Sequence, residues 1–201
     1  MLRKKKRGKV IIISSPSGAG KTTIVKSIAS SKPNTELSVS LTTREPRGGE
    51  LNGVDYHFVS KLHFKKIIKK KLFLEHANVF NNYYGTLKSS VLKKIKKGKN
   101  VLLDIDWQGA RQVKKKLLDD VISIFILPPS LKELESRLKK REKNNLFIKK
   151  RMSKAKREII HWKEYDYSIV NDKLSDCIKK INYIIDLDDH RPHRQNIFIF
   201  R

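Results

Sequence analysis

Near the amino end, Ser15-Pro16-Ser17-Gly18-Ala19-Gly20-Lys21-Thr22 has the residue types and order of a phosphate-cradling loop. Its glycines allow a tight backbone, Lys21 offers a mobile cation to β- and γ-phosphates, and the Thr22 hydroxyl suits a Mg²⁺ shell. The strict pattern has glycine where this chain has Ser15. A plain Ser/Gly-rich turn is the other reading, and Gly-Lys-Thr at a helix start argues against it. Further on, Arg44 and Arg47 sit in a Pro/Gly-rich loop. They suit a bidentate grip on a phosphate or carboxylate, or are solvated loop charges. Glu75 places a carboxylate inside the apolar run Phe73–Ala77. Asp104 and Asp106 close another apolar run. Acids at a strand's carboxyl end commonly order Mg²⁺ and its waters; the plainer alternative is an acidic turn. Arg137, Arg141, Arg151 and Arg157 fall on two consecutive helical stretches, as in a closing lid or on solvated helix faces.

These residues need elements to hold them. Val10-Ile11-Ile12-Ile13 reads as a buried strand and Thr23 to Ile28 as the start of a helix, so the loop has strand before it and helix after it. In that setting loop N–H groups and a helix N-terminus converge on one anion. Leu37–Leu41 alternates as a strand, Asp55–Val59 reads as a second, and Lys61–Lys71 as a helix with Leu62, Phe64, Ile67 and Ile68 inward. With Asn82-Tyr83-Tyr84-Gly85-Thr86 these make residues 38–90 a small inserted α+β lobe. The core resumes with Val101–Asp106, a helix from Gln108 to Leu118, and a strand from Val121 to Leu127 stopped by Pro128-Pro129. Ser130 and Glu133 have capping-box spacing, and they open a helix on which Arg137 and Arg141 lie one turn apart. The polar stretch Glu142–Asn145 separates it from the next helix. Asp166–Val170 reads as the last strand, and an amphipathic helix runs from about Lys173 to Asp188. The tail from His190 shows no pattern and no metal-ligand spacing.

The net charge of +26 suggests a nucleic acid or an anionic membrane as partner. Its layout argues otherwise: lysines recur on nearly every helix, and no aromatic residues interleave with them to stack bases. A solvated surface with no specific nucleic acid and no membrane partner is the expectation. The lone Cys177 excludes an internal disulfide and fits a reducing cytosol. Although Met1–Arg7 is basic like the start of a signal peptide, the apolar run after it has only four residues, so a cytoplasmic protein is expected.

Taken together, Ser15–Thr22, Ser40-Leu41-Thr42-Thr43-Arg44-Glu45-Pro46-Arg47, Asn82–Thr86, Asp104-Ile105-Asp106-Trp107-Gln108-Gly109 and Ile169–Asp172 closely resemble bacterial-type guanylate kinases, in order, over about residues 9–188. The resemblance implies an α/β fold of the P-loop NTPase type. A parallel sheet flanked by helices would form the ATP-binding core (1–37, 91–128 and 160–201), with a GMP-binding lobe (38–90) and a helical lid (129–159). It implies γ-phosphoryl transfer from ATP to GMP, and to dGMP, with Mg²⁺, in purine nucleotide salvage and GTP supply.

By position, the resemblance gives residues 15–22 and Asn171 to ATP, and Thr22 and Asp104 to the metal. Arg44, Arg47, Tyr56 and Tyr84 would grip the GMP phosphate, while Ser40, Glu75, Thr86 and Asp106 would read guanine. Lys21, Arg137, Arg141 and Arg151 would act on the transferring phosphoryl group. The family usually follows the second lid arginine with Gly and a short acidic turn, which Glu142-Lys143-Asn144-Asn145 replaces here. A guanylate-kinase-like binding module without activity is the alternative from another class. Such modules typically have a degraded phosphate loop, whereas Gly20-Lys21-Thr22 is intact.

Overall fold

The structure, a computed structural model, describes residues 7–141 and 144–191. The basic arm before Arg7, Glu142 and Lys143 of the expected lid turn, the tail from Pro192 onward and the Arg141 side chain lie outside the described residues. The chain divides into two compact units, Met1–Val10 with Asn34–Val121, and Ile11–Pro33 with Ile122–Arg201. In chain order the elements are β1 (Val10–Ser14), α1 (Lys21–Ser31), β2 (Thr35–Leu37), β3 (Leu41–Thr42), β4 (His57–Phe58), α2 (Lys61–Lys69), β5 (Phe73–Val79), β6 (Asn82–Leu87) and α3 (Lys88–Lys96). Next come β7 (Asn100–Asp104), α4 (Trp107–Leu117), β8 (Val121–Leu127), α5 (Leu131–Arg141), α6 (Asn145–Ile159), β9 (Tyr167–Val170) and α7 (Leu174–Leu187).

In the first unit β2 and β7 pair in parallel, from Thr35 opposite Asn100 to Leu37 opposite Leu102. Val101 donates its N–H to the Lys9 carbonyl at 2.8 Å, so β7 also borders the start of β1. A second sheet, ordered β4-β3-β6-β5, mixes a parallel pair (β3 with β4) and antiparallel pairs. Its hairpin turns through Phe80 and Asn81, both left-handed with φ of 51° and 62°, the two-residue geometry that matches strand twist. One face packs Leu41, Phe64, Ile67 and Phe73 into a small core, with the Phe64 and Phe73 rings stacked at 4.5 Å.

In the second unit β8 and β9 pair in parallel, Ile124 opposite Tyr167 through Leu127 opposite Val170. Strand β1 is buried at every residue, as the unbroken β-branched run requires of a parallel strand covered on both faces. α1 buries Ile24, Val25 and Ile28, and α7 buries Cys177, Ile181 and Ile185 at a four-residue repeat; the two helices pack together. Within this unit the strands follow the order β1-β8-β9. Among the described residues no helix is long and apolar enough to cross a membrane.

Three local expectations change. The alternating run Leu37–Leu41 is not one strand. Ser38 still donates to Leu102 beside β2, while the Ser40 carbonyl already accepts from His57 beside β4, so the run is shared between two sheets. Leu62 is 67% exposed instead of inward, because it lies about 200° around α2 from Phe64. Asp106 is no longer strand but the N-cap of α4.

Candidate active site

The phosphate loop is built within the second unit. Its backbone turns through Gly18 and Gly20 with φ of 95° and 93°, values that other residues rarely adopt. The Ala19 N–H donates to the Pro16 carbonyl at 3.2 Å, and Ser15 Oγ donates to the same oxygen at 3.1 Å. Ser15, the departure from the glycine pattern, thus fastens the loop from its side chain. Gly20 caps α1 without a side chain, and the first turn of α1 holds no acidic residue. The helix therefore presents Lys21, Thr22 and its positive end with no carboxylate of its own there.

Asn171 connects this loop to its surroundings. It is buried, and its Nδ2 donates to the Ala19 carbonyl at 2.8 Å while its backbone N–H donates to Leu127 O at 2.8 Å. A side chain on Gly20 would lie 2.6 Å from Asn171 Nδ2. The Asn171 carbonyl accepts from both terminal nitrogens of Arg137 at 3.3 Å, and Arg137 Nε donates to Glu133 at 2.9 Å. Only half of the expected capping box forms: Ser130 Oγ accepts from the Glu133 N–H at 3.0 Å, but the Glu133 carboxylate turns to Arg137. Leu134 and Leu138 of α5 join Ile148 and Ala155 of α6 in one core and also lie against Gly18. Arg151 is half-buried on α6.

The base-reading and phosphate-gripping candidates lie within the first unit. Glu75 on β5 stands directly opposite Thr86 on β6, so the two side chains share a face. Glu75 is 3% exposed, and its pKa rises from 4.5 to about 7. Burial is the main cause and the nearby Asp106 charge adds to it; hydrogen bonds from Thr86 to the carboxylate oppose the rise. With Thr86 donating to ionised Glu75, its oxygen is left to accept from Ser40 at 3.0 Å. Asp106 accepts from the Gly109 N–H at 3.0 Å and from Gln108 Nε2 at 3.1 Å.

Two residues along β6 from Thr86, and so on the same face, Tyr84 begins a second cluster. Arg44 donates to Glu50 Oε1 at 2.8 Å, hydrogen-bonds Tyr84, and lies 5.5 Å from the Tyr56 ring centroid. The Tyr56 and Tyr84 rings meet edge to face at 6.0 Å. Glu50 also accepts from the Arg47 backbone N–H at 2.8 Å, and the Arg44 hydrogen bond, helped by the charge of the exposed Arg47 side chain, holds the Glu50 carboxyl below its ordinary pKa.

Sequence reasoning missed two participants. Glu50, in the loop that carries the arginines, accepts from both the Arg44 guanidinium and the Arg47 backbone N–H and so fixes Arg44. Gly109 closes the Asp104–Gly109 segment, where nothing in the residue pattern marks it as needing to be glycine. A Cβ there would come 2.6 Å from Glu75 Oε2, so only glycine lets α4 lie against the carboxylate.

The guanylate kinase family model matches residues 7–188. Guanylate kinase of Maricaulis maris is 50% identical over 186 residues, spanning 92% of this chain and 85% of that protein. The guanylate kinase of Rickettsia prowazekii is 49% identical over 182 residues, or 90% and 92% of the two chains. This chain belongs to the guanylate kinase family. A crystal structure of guanylate kinase from Anaplasma phagocytophilum matches it with a TM-score of 0.81 at 34% identity, over 96% of this chain and 92% of that one. Membership in the guanylate kinase family makes the chain a nucleoside monophosphate kinase, and the P-loop NTPase-like parallel sheet is the family's fold.

Proposed function

We propose that the chain transfers the γ-phosphoryl group of ATP to the phosphate of GMP, and of dGMP, giving ADP and GDP or dGDP. The observation that carries the choice of acceptor is the buried Glu75–Thr86 pair on the same face of the sheet as the Tyr84–Arg44 cluster. Guanine offers N1–H and N2–H₂ donors on one edge, which a single carboxylate can accept together. Adenine at that edge offers an acceptor and no N2 amine, leaving a desolvated charge unpaired at a cost of about 1–3 kcal/mol or more. The arginine and tyrosines suit the dianionic phosphate at the other end of the nucleotide, where it would take over the Arg44 contact that Glu50 now makes.

On this reading residues 1–37, 91–128 and 160–201 bind ATP, 38–90 bind GMP and 129–159 form the lid. Loop N–H groups and Lys21 would hold the β- and γ-phosphates. Arg137, Arg141 and Arg151 would meet charge that spreads over the equatorial oxygens of the transferring group. The acceptor phosphate is already an anion, so no general base is required and positioning dominates.

Thr22 and Asp104 would hold Mg²⁺ with the nucleotide. Their donor set fits: a hydroxyl on the exposed first turn of α1 and a carboxylate ending β7 are hard oxygen ligands, and Mg²⁺ typically takes few protein ligands beside phosphates and waters. When bound, the ion neutralises charge on the β- and γ-phosphates.

The test is ADP formation with Mg²⁺–ATP and each of GMP, dGMP, AMP and CMP. Turnover with the two guanine nucleotides alone is expected. Equal turnover of AMP would overturn the base assignment, and no turnover with any acceptor would favour the inactive binding module.

A further inference from the structure

Strand β5, which carries Glu75, is the edge strand of its sheet, with β6 on its inner side. Its pairing with β6 shifts between Phe73 and Glu75, so Leu74 is an extra residue in a β-bulge immediately before Glu75. Bulges re-aim side chains and leave backbone groups without a ladder partner. Here α4 supplies the missing partners. Lys116 Nζ donates to the carbonyls of both Phe73 and Leu74, at 3.3 and 2.5 Å. One turn earlier, Gln112 treats the other side of Glu75 as a neighbouring strand would. Its Oε1 accepts from the His76 N–H at 3.1 Å, and its Nε2 donates to the His76 carbonyl at 2.7 Å. Glu75 is therefore flanked in sequence by two side-chain-to-backbone clamps on one helix, whose N-cap, Asp106, is itself a candidate guanine reader.

We propose that Gln112 and Lys116 are positioning residues which fix the bulge and so aim the Glu75 carboxylate, making them determinants of guanine recognition without touching the nucleotide. The proposal rests on Glu75 reading guanine. Neither residue reveals itself in the sequence, where both pass for the polar side of an amphipathic helix. The clamps also explain why the edge of β5 is not left open: a bulged, twisted edge covered by side-chain donors offers no template for another strand. The carbonyl contacts of Lys116 need an N–H donor, which an arginine also carries and a thioether lacks.

The experiment measures KM for GMP and ATP, and kcat/KM for GMP against IMP, which keeps N1–H but lacks the N2 amine. The variants are Gln112→Leu, Lys116→Met, Lys116→Arg and Glu75→Gln. Gln112→Leu and Lys116→Met are each expected to raise KM for GMP about tenfold and to shrink the GMP:IMP preference, leaving KM for ATP within about twofold. Lys116→Arg is expected to restore both parameters. An unchanged GMP:IMP ratio in Gln112→Leu and Lys116→Met, with Glu75→Gln defective, overturns the positioning role. So does a parallel rise of both KM values with a lowered Tm, the mark of a merely structural role. A Glu75→Gln enzyme with normal KM for GMP overturns the reading of Glu75 itself, and the positioning role with it.

Discussion

Burying a carboxylate inside a sheet has a cost, and Glu75 shows its size. Its pKa of about 7, against an ordinary 4.5, means that the folded chain binds a proton more tightly there than the unfolded chain does. Between those values the folded state holds more protons, so stability falls as pH rises through that window, by an amount on the order of 3 kcal/mol at its end. Glu75→Gln should remove this penalty. The difference in Tm between variant and parent should grow in the variant's favour from about pH 5 to about pH 8, as read by thermal melting. The same variant should bind GMP much more weakly, because the amide turns a donor toward guanine's donors. In the parent, kcat/KM for GMP should rise with pH through about 7 as the carboxylate forms, a dependence absent from Glu75→Gln. Lys21→Met should give a folded protein without measurable phosphoryl transfer, since its charge would be lost from the phosphate loop. Wild-type-like turnover there would remove Lys21 from the mechanism.

At the scale of elements, the phosphate loop is held by Asn171, just past the end of β9, as much as by its own glycines. Asn171 ties Ala19, Leu127 and Arg137 together, joining loop, strand β8 and helix α5. Asn171→Ala should therefore raise KM for ATP about tenfold, the equivalent of one lost hydrogen bond, with KM for GMP little changed. If KM for GMP moves and KM for ATP does not, the bond to Ala19 has no functional weight. Arg137→Lys keeps the charge but not the fork shared between Glu133 and Asn171, and kcat should fall by roughly 10²-fold at saturating substrates. What was legible in the sequence reflects chemistry that leaves few residue choices. The Gly18–Thr22 stretch after a β-branched run, the arginine-bearing loop and the acids at Asp104 and Asp106 each stand out by type and spacing. The split of Leu37–Leu41 between two sheets was not legible, because alternation records which side of a strand is buried and not which sheet pairs with it. Nor were the contacts of Glu50 and Gln112, which reach the Arg44 guanidinium and the His76 backbone only after folding.

For the whole molecule the question is what 46 basic against 20 acidic residues do. Their placement has a local logic: lysines crowd the last turns of α2, α3 and α4, where a helix's negative end favours them. That attraction is worth about 0.3–1 kcal/mol per charge and fades within a turn, whereas repulsion between like charges accumulates over the chain within each Debye length. Pairs such as Lys61 and Lys65, or Lys65 and Lys69, also stand four apart on α2 with the same sign, which is unfavourable by a few tenths of a kcal/mol each. Among the described residues several ion pairs sit on exposed side chains, Lys139 with Glu135 at 2.7 Å for example, and such pairs contribute little. Repulsion should therefore win. Raising NaCl from about 0.02 to about 0.2 M should increase Tm, because screening relieves more repulsion than it removes attraction to helix ends. Chloride is the salt to use, since phosphate or sulfate would stabilise the fold by binding at the nucleotide site. A Tm that falls with NaCl would mean that the lysines act mainly through local attractions, and that the surplus charge is a stabilising feature of the helices instead of a burden on the fold.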